Sequence, residues 1–116
     1  IGGLKHVPHG LTIGLVLVET LTREARVVPE KMERIADAMG LPQDGTKDGS
    51  RVIKKVAEIL KELQFPVLSS LGFESKDIDE LADIALKDFF ITMAPKPWSK
   101  AEVVEAFNSA LALTSR

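Results

Sequence analysis

Pro8-His9-Gly10, followed at once by Leu11-Thr12-Ile13-Gly14-Leu15-Val16-Leu17-Val18, is the stretch on which the fold turns. A proline, an imidazole and a glycine stand where an almost wholly apolar segment begins, and Glu19 closes it. The run has no polar face, so it is expected to pass through the middle of the fold. It would then hold His9 at its mouth on a rigid element, the kind of support that places a ligand well. Periodicity does not separate helix from strand here. Ile13, Val16 and Val18 favour strand, whereas a length of about 11 residues to Leu21 favours helix. No other segment reads as a partner strand, so a buried helix is expected.

Most of the remaining chain has the helical period and could cover that run. Pro29 suits a helix's first position, Met32, Ile35, Ala36 and Met39 follow as one stripe, and Gly40 stops it with Pro42 beyond. Gln43 to Gly49 is a polar loop. A further helix is expected from Asp48 or Ser50 to Leu63, with Val52, Ile53, Val56, Ala57, Leu60 and Leu63 inward and Phe65-Pro66 ending it. Val67 to Gly72 is a short apolar connector. Ser75 is the expected cap of the next helix, whose inner face is Ile78, Leu81, Ala82 and Ala85. Asp88 to Ala94 is an apolar connector broken by Pro95 and Pro97. Ser99 with Glu102 reads as a capping box, with Trp98 stapled to Val103. Val104, Phe107, Ala110 and Leu111 complete a last helix. The expectation is all-α: a single compact domain over residues 1–116, about five helices around the buried N-terminal one.

Composition narrows the function. Lys and Arg number 15 against 17 Asp and Glu, a net charge of -2, so there is no electrostatic case for nucleic acid. No cysteine is present, which excludes disulfides, iron–sulfur ligation and thiol catalysis. No run reaches the roughly 18 apolar residues of a membrane helix, and Leu11 to Val18 lacks a leader's cleavage pattern. No membrane partner is expected, and a cytoplasmic location is. A chain starting at Ile1 rather than Met hints at a processed or excised piece.

Two histidines, His6 and His9, carry the candidate chemistry. On spacing alone, two solvated imidazoles on a loop are favoured, because two nitrogens fall short of the ligands a stable metal site needs. The sharper reading makes His9 a metal ligand together with groups from elsewhere, with Gly10 admitting close approach and Pro8 fixing the chain. Ser69, Ser70, Ser75 and Ser99 have no histidine or glycine elbow beside them and read as caps or connectors. Asp44 and Asp48 lack the calcium-loop spacing. Glu33, Asp37, Glu58 and Glu62 read as the solvated backs of helices, and Met32, Met39 and Met93 as core filler.

Gly2-Gly3-Leu4-Lys5-His6-Val7-Pro8-His9-Gly10-Leu11 before a long apolar helix resembles the metal-binding segment of iron-containing (group III) alcohol dehydrogenases. The ordered series continues through Glu30 to Gly40, Phe65-Pro66, Leu71 to Ala82, Ala85 to Asp88 and Ala94-Pro95-Lys96-Pro97, covering essentially the whole chain. Ala94 stands where that family often has Asn. The resemblance implies a dehydroquinate synthase-like, helical C-terminal domain of a larger enzyme. It implies an upstream dinucleotide-binding domain as partner, NAD(P), and Fe(2+) or another divalent metal held by one Asp and three His. His9 matches the last of those histidines and His6 matches none. The implied substrate is a small alcohol or aldehyde, whose oxygen the metal polarises so that hydride leaves for the nicotinamide. One ligand does not make a site, so the piece alone is expected to be inactive. An apolar scar around Ile1, Leu11, Phe89 and Phe90 would favour a homo-oligomer. The alternative is a stand-alone helical protein-interaction module without catalysis.

Overall fold

The computed structural model describes residues 6–87 and 93–116, apart from the side chain of His9. Among the described residues six α-helices run α1 His9–Leu15, α2 Leu17–Val27, α3 Pro29–Ala38, α4 Ser50–Glu62, α5 Ile78–Leu86 and α6 Lys100–Ala112. Two 3-10 turns, Leu68–Leu71 and Ser75–Asp77, lie between α4 and α5, and no strand occurs among the described residues. The all-α expectation holds, with one more helix than the pattern suggested.

The extra helix comes from the apolar run itself. Val16 leaves helical geometry at φ −124°, ψ 13°, so α1 and α2 are separate rods. Helix α2 restarts with the Val16 carbonyl accepting both the Thr20 amide and the Thr20 hydroxyl, at 3.0 and 2.8 Å. β-Branched residues at 16 and 18 restrict their own side-chain rotation in a helix, which weakens the run at this point. The run also differs from a fully buried rod. Leu15 is 1% exposed and sits in the core, while Ile13, on the other face of α1, is 51% exposed. Helix α1 packs on one side only, so composition without a polar face did not dictate complete burial.

Local chemistry explains the other boundaries. Pro29 occupies the first turn of α3, where its missing N–H costs nothing. Gly40, at φ 73°, ends α3 as the Leu41 amide turns back to the Ala36 carbonyl. Helix α4 ends at Glu62, three residues before Phe65: Gln64 takes the left-handed conformation, and the Phe65 amide donates to the Leu60 carbonyl. Ser75 is not a cap. It opens the 3-10 turn, and the Asp77 carboxylate accepts from the Glu74 amide at 2.9 Å instead. The Ser99–Glu102 box forms as expected, at 3.2 and 3.0 Å.

Two apolar clusters result. The larger joins Leu15, Leu68, Phe73, Ile78, Leu81, Ala82, Val103, Phe107 and Ala110, with Trp98 against its edge. It ties α1 to the tightly paired α5 and α6. The smaller contains Ala25, Met32, Ala36 and Val52, between α2, α3 and α4. Of the methionines only Met32 is core; Met39 and Met93 are 44% and 65% exposed. The stripe on α3 is therefore narrower than its sequence implied, because the neighbouring helices cover Met32 and Ala36 but leave Ile35 and Met39 at its margin. The Asp88 to Ala94 connector falls mostly outside the described residues, as do Ile1, Phe89 and Phe90 of the suggested apolar scar.

Candidate functional site

His9 opens α1, directly after Pro8, whose φ −54° and ψ 141° turn the chain into the helix. The Pro8 carbonyl accepts the amides of Leu11 and Thr12, each at 3.1 Å. Among the described residues nothing lies within 4 Å of where a Cβ at Gly10 would stand, which leaves open space beside His9's neighbour. His6 is exposed with φ 54°, a loop residue. Among the described residues, no three His, Cys, Asp or Glu side chains are grouped so as to hold a metal ion. The described side chains supply no complete donor set, and the His9 imidazole, a donor suited to a divalent ion, lies outside them.

Sequence reasoning overlooked two buried arginines. Arg23, 4% exposed, donates from Nε and Nη2 to the two Glu102 oxygens at 2.9 and 3.3 Å. Its Nη1 reaches Glu24 Oε1 at 3.0 Å and its Nη2 the Pro97 carbonyl at 2.9 Å. The guanidinium lies 4.7 Å from the centre of the Trp98 ring, and the indole Nε1–H donates to the same Glu24 oxygen at 2.8 Å. This group fastens the middle of α2 to the start of α6 and to the segment before it. The bond from Arg23, then the Ser99 amide, holds the Glu102 carboxyl down to about 2. The other Glu24 oxygen is buried without a hydrogen-bond partner among the described residues.

Arg51, 5% exposed, closes the smaller cluster by gripping Glu33, Asp37 (3.0 Å) and the Leu41 carbonyl (3.0 Å). The second Glu33 oxygen accepts the Gly49 amide at 3.1 Å. Glu33 and Asp37 are thus not idle backs of α3: their i, i+4 spacing makes one carboxylate pair for Arg51. That spacing was the available signal. For Arg23 the signal was register, since it follows Val16 and Thr20 at seven and three residues on the inward face. Asp44 and Asp48 only turn the loop, bonding the Thr46 and Ser50 amides at 3.0 and 3.1 Å.

Two grooves flank α2. One of about 360 Å³ is apolar and runs from Val16 and Thr20 past Trp98 to Val103 and Phe107, with Glu24 on its wall. The other, about 280 Å³, lies between α2 and α6 and carries Glu19, Arg23, Arg26, Glu102 and Glu105. No histidine is among the described residues lining either. Among the described residues no helix is long and apolar enough to cross a membrane.

The geometry defines a class first: a compact all-α multi-helix fold with a histidine at the opening of its first helix and two arginine-centred clamps. The chain belongs to the Fe-containing alcohol dehydrogenase family, whose C-terminal family model matches residues 1–111. It is 31% identical over 114 residues to a 1,3-propanediol dehydrogenase of Citrobacter freundii, covering 95% of this chain and 30% of that protein. Lactaldehyde reductase of Escherichia coli (strain K12) is 25% identical over 114 residues, with the same coverage of 95% and 30%. A crystal structure of a 1,3-propanediol oxidoreductase superposes with a TM-score of 0.87 at 26% identity, over 94% of this chain and 30% of that one. The chain thus spans about 30% of the length of these relatives.

Proposed function

We propose that this chain is the helical C-terminal domain of a metal-dependent, NAD(P)-linked alcohol dehydrogenase acting on a small alcohol or aldehyde. In that reading residues 1–116 form one domain, and His9 supplies one ligand to Fe(2+) or another divalent ion. The remaining ligands and the nicotinamide-binding domain belong to sequence upstream. The observation that carries the proposal is the match of residues 1–111, in order, to the C-terminal part of the family, with Pro8-His9-Gly10 at the mouth of α1. The open space at Gly10 supports it, since a bound group could approach the backbone there. The alcohol-linked names of the relatives favour an oxidoreductase.

The test uses both lengths of protein. The 116-residue chain is expected to show no NAD(P)-dependent alcohol oxidation and equally weak metal binding in wild type and His9→Ala. A longer protein with the upstream sequence is expected to bind metal and turn over, and to lose both in His9→Ala. Robust turnover by the 116 residues alone, or full metal affinity in the longer His9→Ala protein, would overturn the proposal.

A further inference from the structure

Helix α1 has seven residues and no side-chain cap at its start, so most of what fixes its direction lies outside it. At Gly14 a Cβ would stand 2.3 Å from Phe65 Cζ and 2.6 Å from Cε1. The Phe65 ring therefore rests on the α1 backbone at a distance only glycine permits. Over the same ring lies Arg116, its guanidinium carbon 5.6 Å from the ring centre. Arg116 Nε donates to the Pro66 carbonyl at 3.2 Å, and Nη2 makes a longer bond, 3.4 Å, to the Gly14 carbonyl.

The same charge reaches across the break at Val16. Burial is the largest influence on the Glu19 carboxyl and leaves it above its ordinary value; its own backbone bond and the Arg116 charge offset this only in part. Glu19 Oε2 is buried without a hydrogen-bond partner among the described residues. One guanidinium thus bonds α1 just before the break and holds the Phe65-Pro66 connector to it. A break of one residue between two rods is where a hinge change is absorbed.

We propose that Arg116, seated on Phe65, is a positioning residue that fixes the direction of α1 and so the place of His9. The inference rests on the reading of His9 as a metal ligand, and its two experimental arms separate the two ideas. The first needs no metal. In the 116-residue chain, Arg116→Ala is expected to speed amide exchange at Leu11 to Leu15 by about tenfold, with α5 and α6 unchanged. Arg116→Lys keeps the charge but not the planar fork, and is expected to fail to restore protection. Phe65→Leu, which removes the ring that both Gly14 and Arg116 touch, must reproduce the loss, which keeps the test valid if Arg116→Ala unfolds the whole chain. Unchanged exchange in α1, or full rescue by lysine, would overturn the lock.

The second arm titrates Co(2+) into the longer protein. Arg116→Ala is expected to weaken binding about tenfold, the scale seen when a ligand's supporting contact is lost, and His9→Ala far more. Wild-type affinity in Arg116→Ala with loosened α1 would refute the positioning role while leaving the His9 reading intact. Wild-type affinity in His9→Ala would refute that reading, and the exchange data would still judge the lock.

Discussion

The two apolar clusters are closed in different ways. The larger takes three leucines, two phenylalanines, an isoleucine, a valine and two alanines from α1, α5, α6, the turn at Leu68 and Phe73 just after it. Its buried arginine, Arg23, sits at the rim, stacked on Trp98 and bonded to Glu102. The smaller has four buried apolar residues, two of them alanine, and Arg51 closes it by holding α3, the Leu41 carbonyl and, through Glu33, the Gly49 amide. A core rich in large side chains is stabilised mainly by removing apolar surface from water. A core of small ones lets helices approach closely but removes little such surface, so backbone geometry and satisfied polar groups decide whether it closes.

The contrast is broken most severely in the larger cluster. Leu81 is 2% exposed at the centre of the α5–α6 pair, and Leu81→Ala is expected to cost about 2–5 kcal/mol, as buried Leu→Ala changes do. Urea unfolding of both proteins checks this; a loss below about 1 kcal/mol would mean that the cavity collapses freely. The matching break in the smaller cluster is Gly49→Ala. Gly49 has φ 82°, and a Cβ there would stand 2.5 Å from Met32 Cβ. The expected cost is about 1–3 kcal/mol from backbone strain alone, plus displacement of Met32. Gly45→Ala sharpens the point, because φ is 86° there but nothing lies within 4 Å. Its destabilisation should be the smaller, and equal losses would show that close approach at Met32 contributes nothing. Smaller again is Ser99→Ala, which removes the cap of α6 and leaves the Glu102 amide unpaired; about 1 kcal/mol is expected in the same unfolding assay.

Much of this architecture was legible because periodicity and punctuation agree. Pro29, Gly40 and the Ser99–Glu102 box each end or begin a helix where the residue type demands it. The break at Val16 was not legible, since a run without polar residues has no register to interrupt. Nor was the use of Arg23, Arg51, Glu33 and Asp37, because a charged residue reads as solvated until its partner is known. Arg23 meets Glu102 from 79 residues away, and no local pattern encodes that pairing. Pro8-His9-Gly10 stood out by residue type, yet its meaning came from resemblance across the chain, since one imidazole has no spacing to interpret.

The smallest expected effect tests the rim clamp of the larger cluster by acid. Glu102 is held at about 2 against an ordinary 4.5, so the folded state binds its proton less readily than the unfolded chain does. The stabilisation from this group is therefore complete above the ordinary carboxylate range, declines as pH falls through it, and is gone below about pH 2. The Glu102 side chain is 33% exposed, and solvent screening keeps the gain below what the shift would give in a dry interior. Trp98, the single tryptophan, stacks on the arginine that Glu102 holds, so its emission reports this clamp and not Arg51. Wild type is expected to be more stable than Glu102→Gln at neutral pH, with the gap closing on acidification as Trp98 emission moves toward that of the variant. A gap that stays constant across the carboxylate range would show that the Arg23–Glu102 contact stabilises the protein through packing and not through charge.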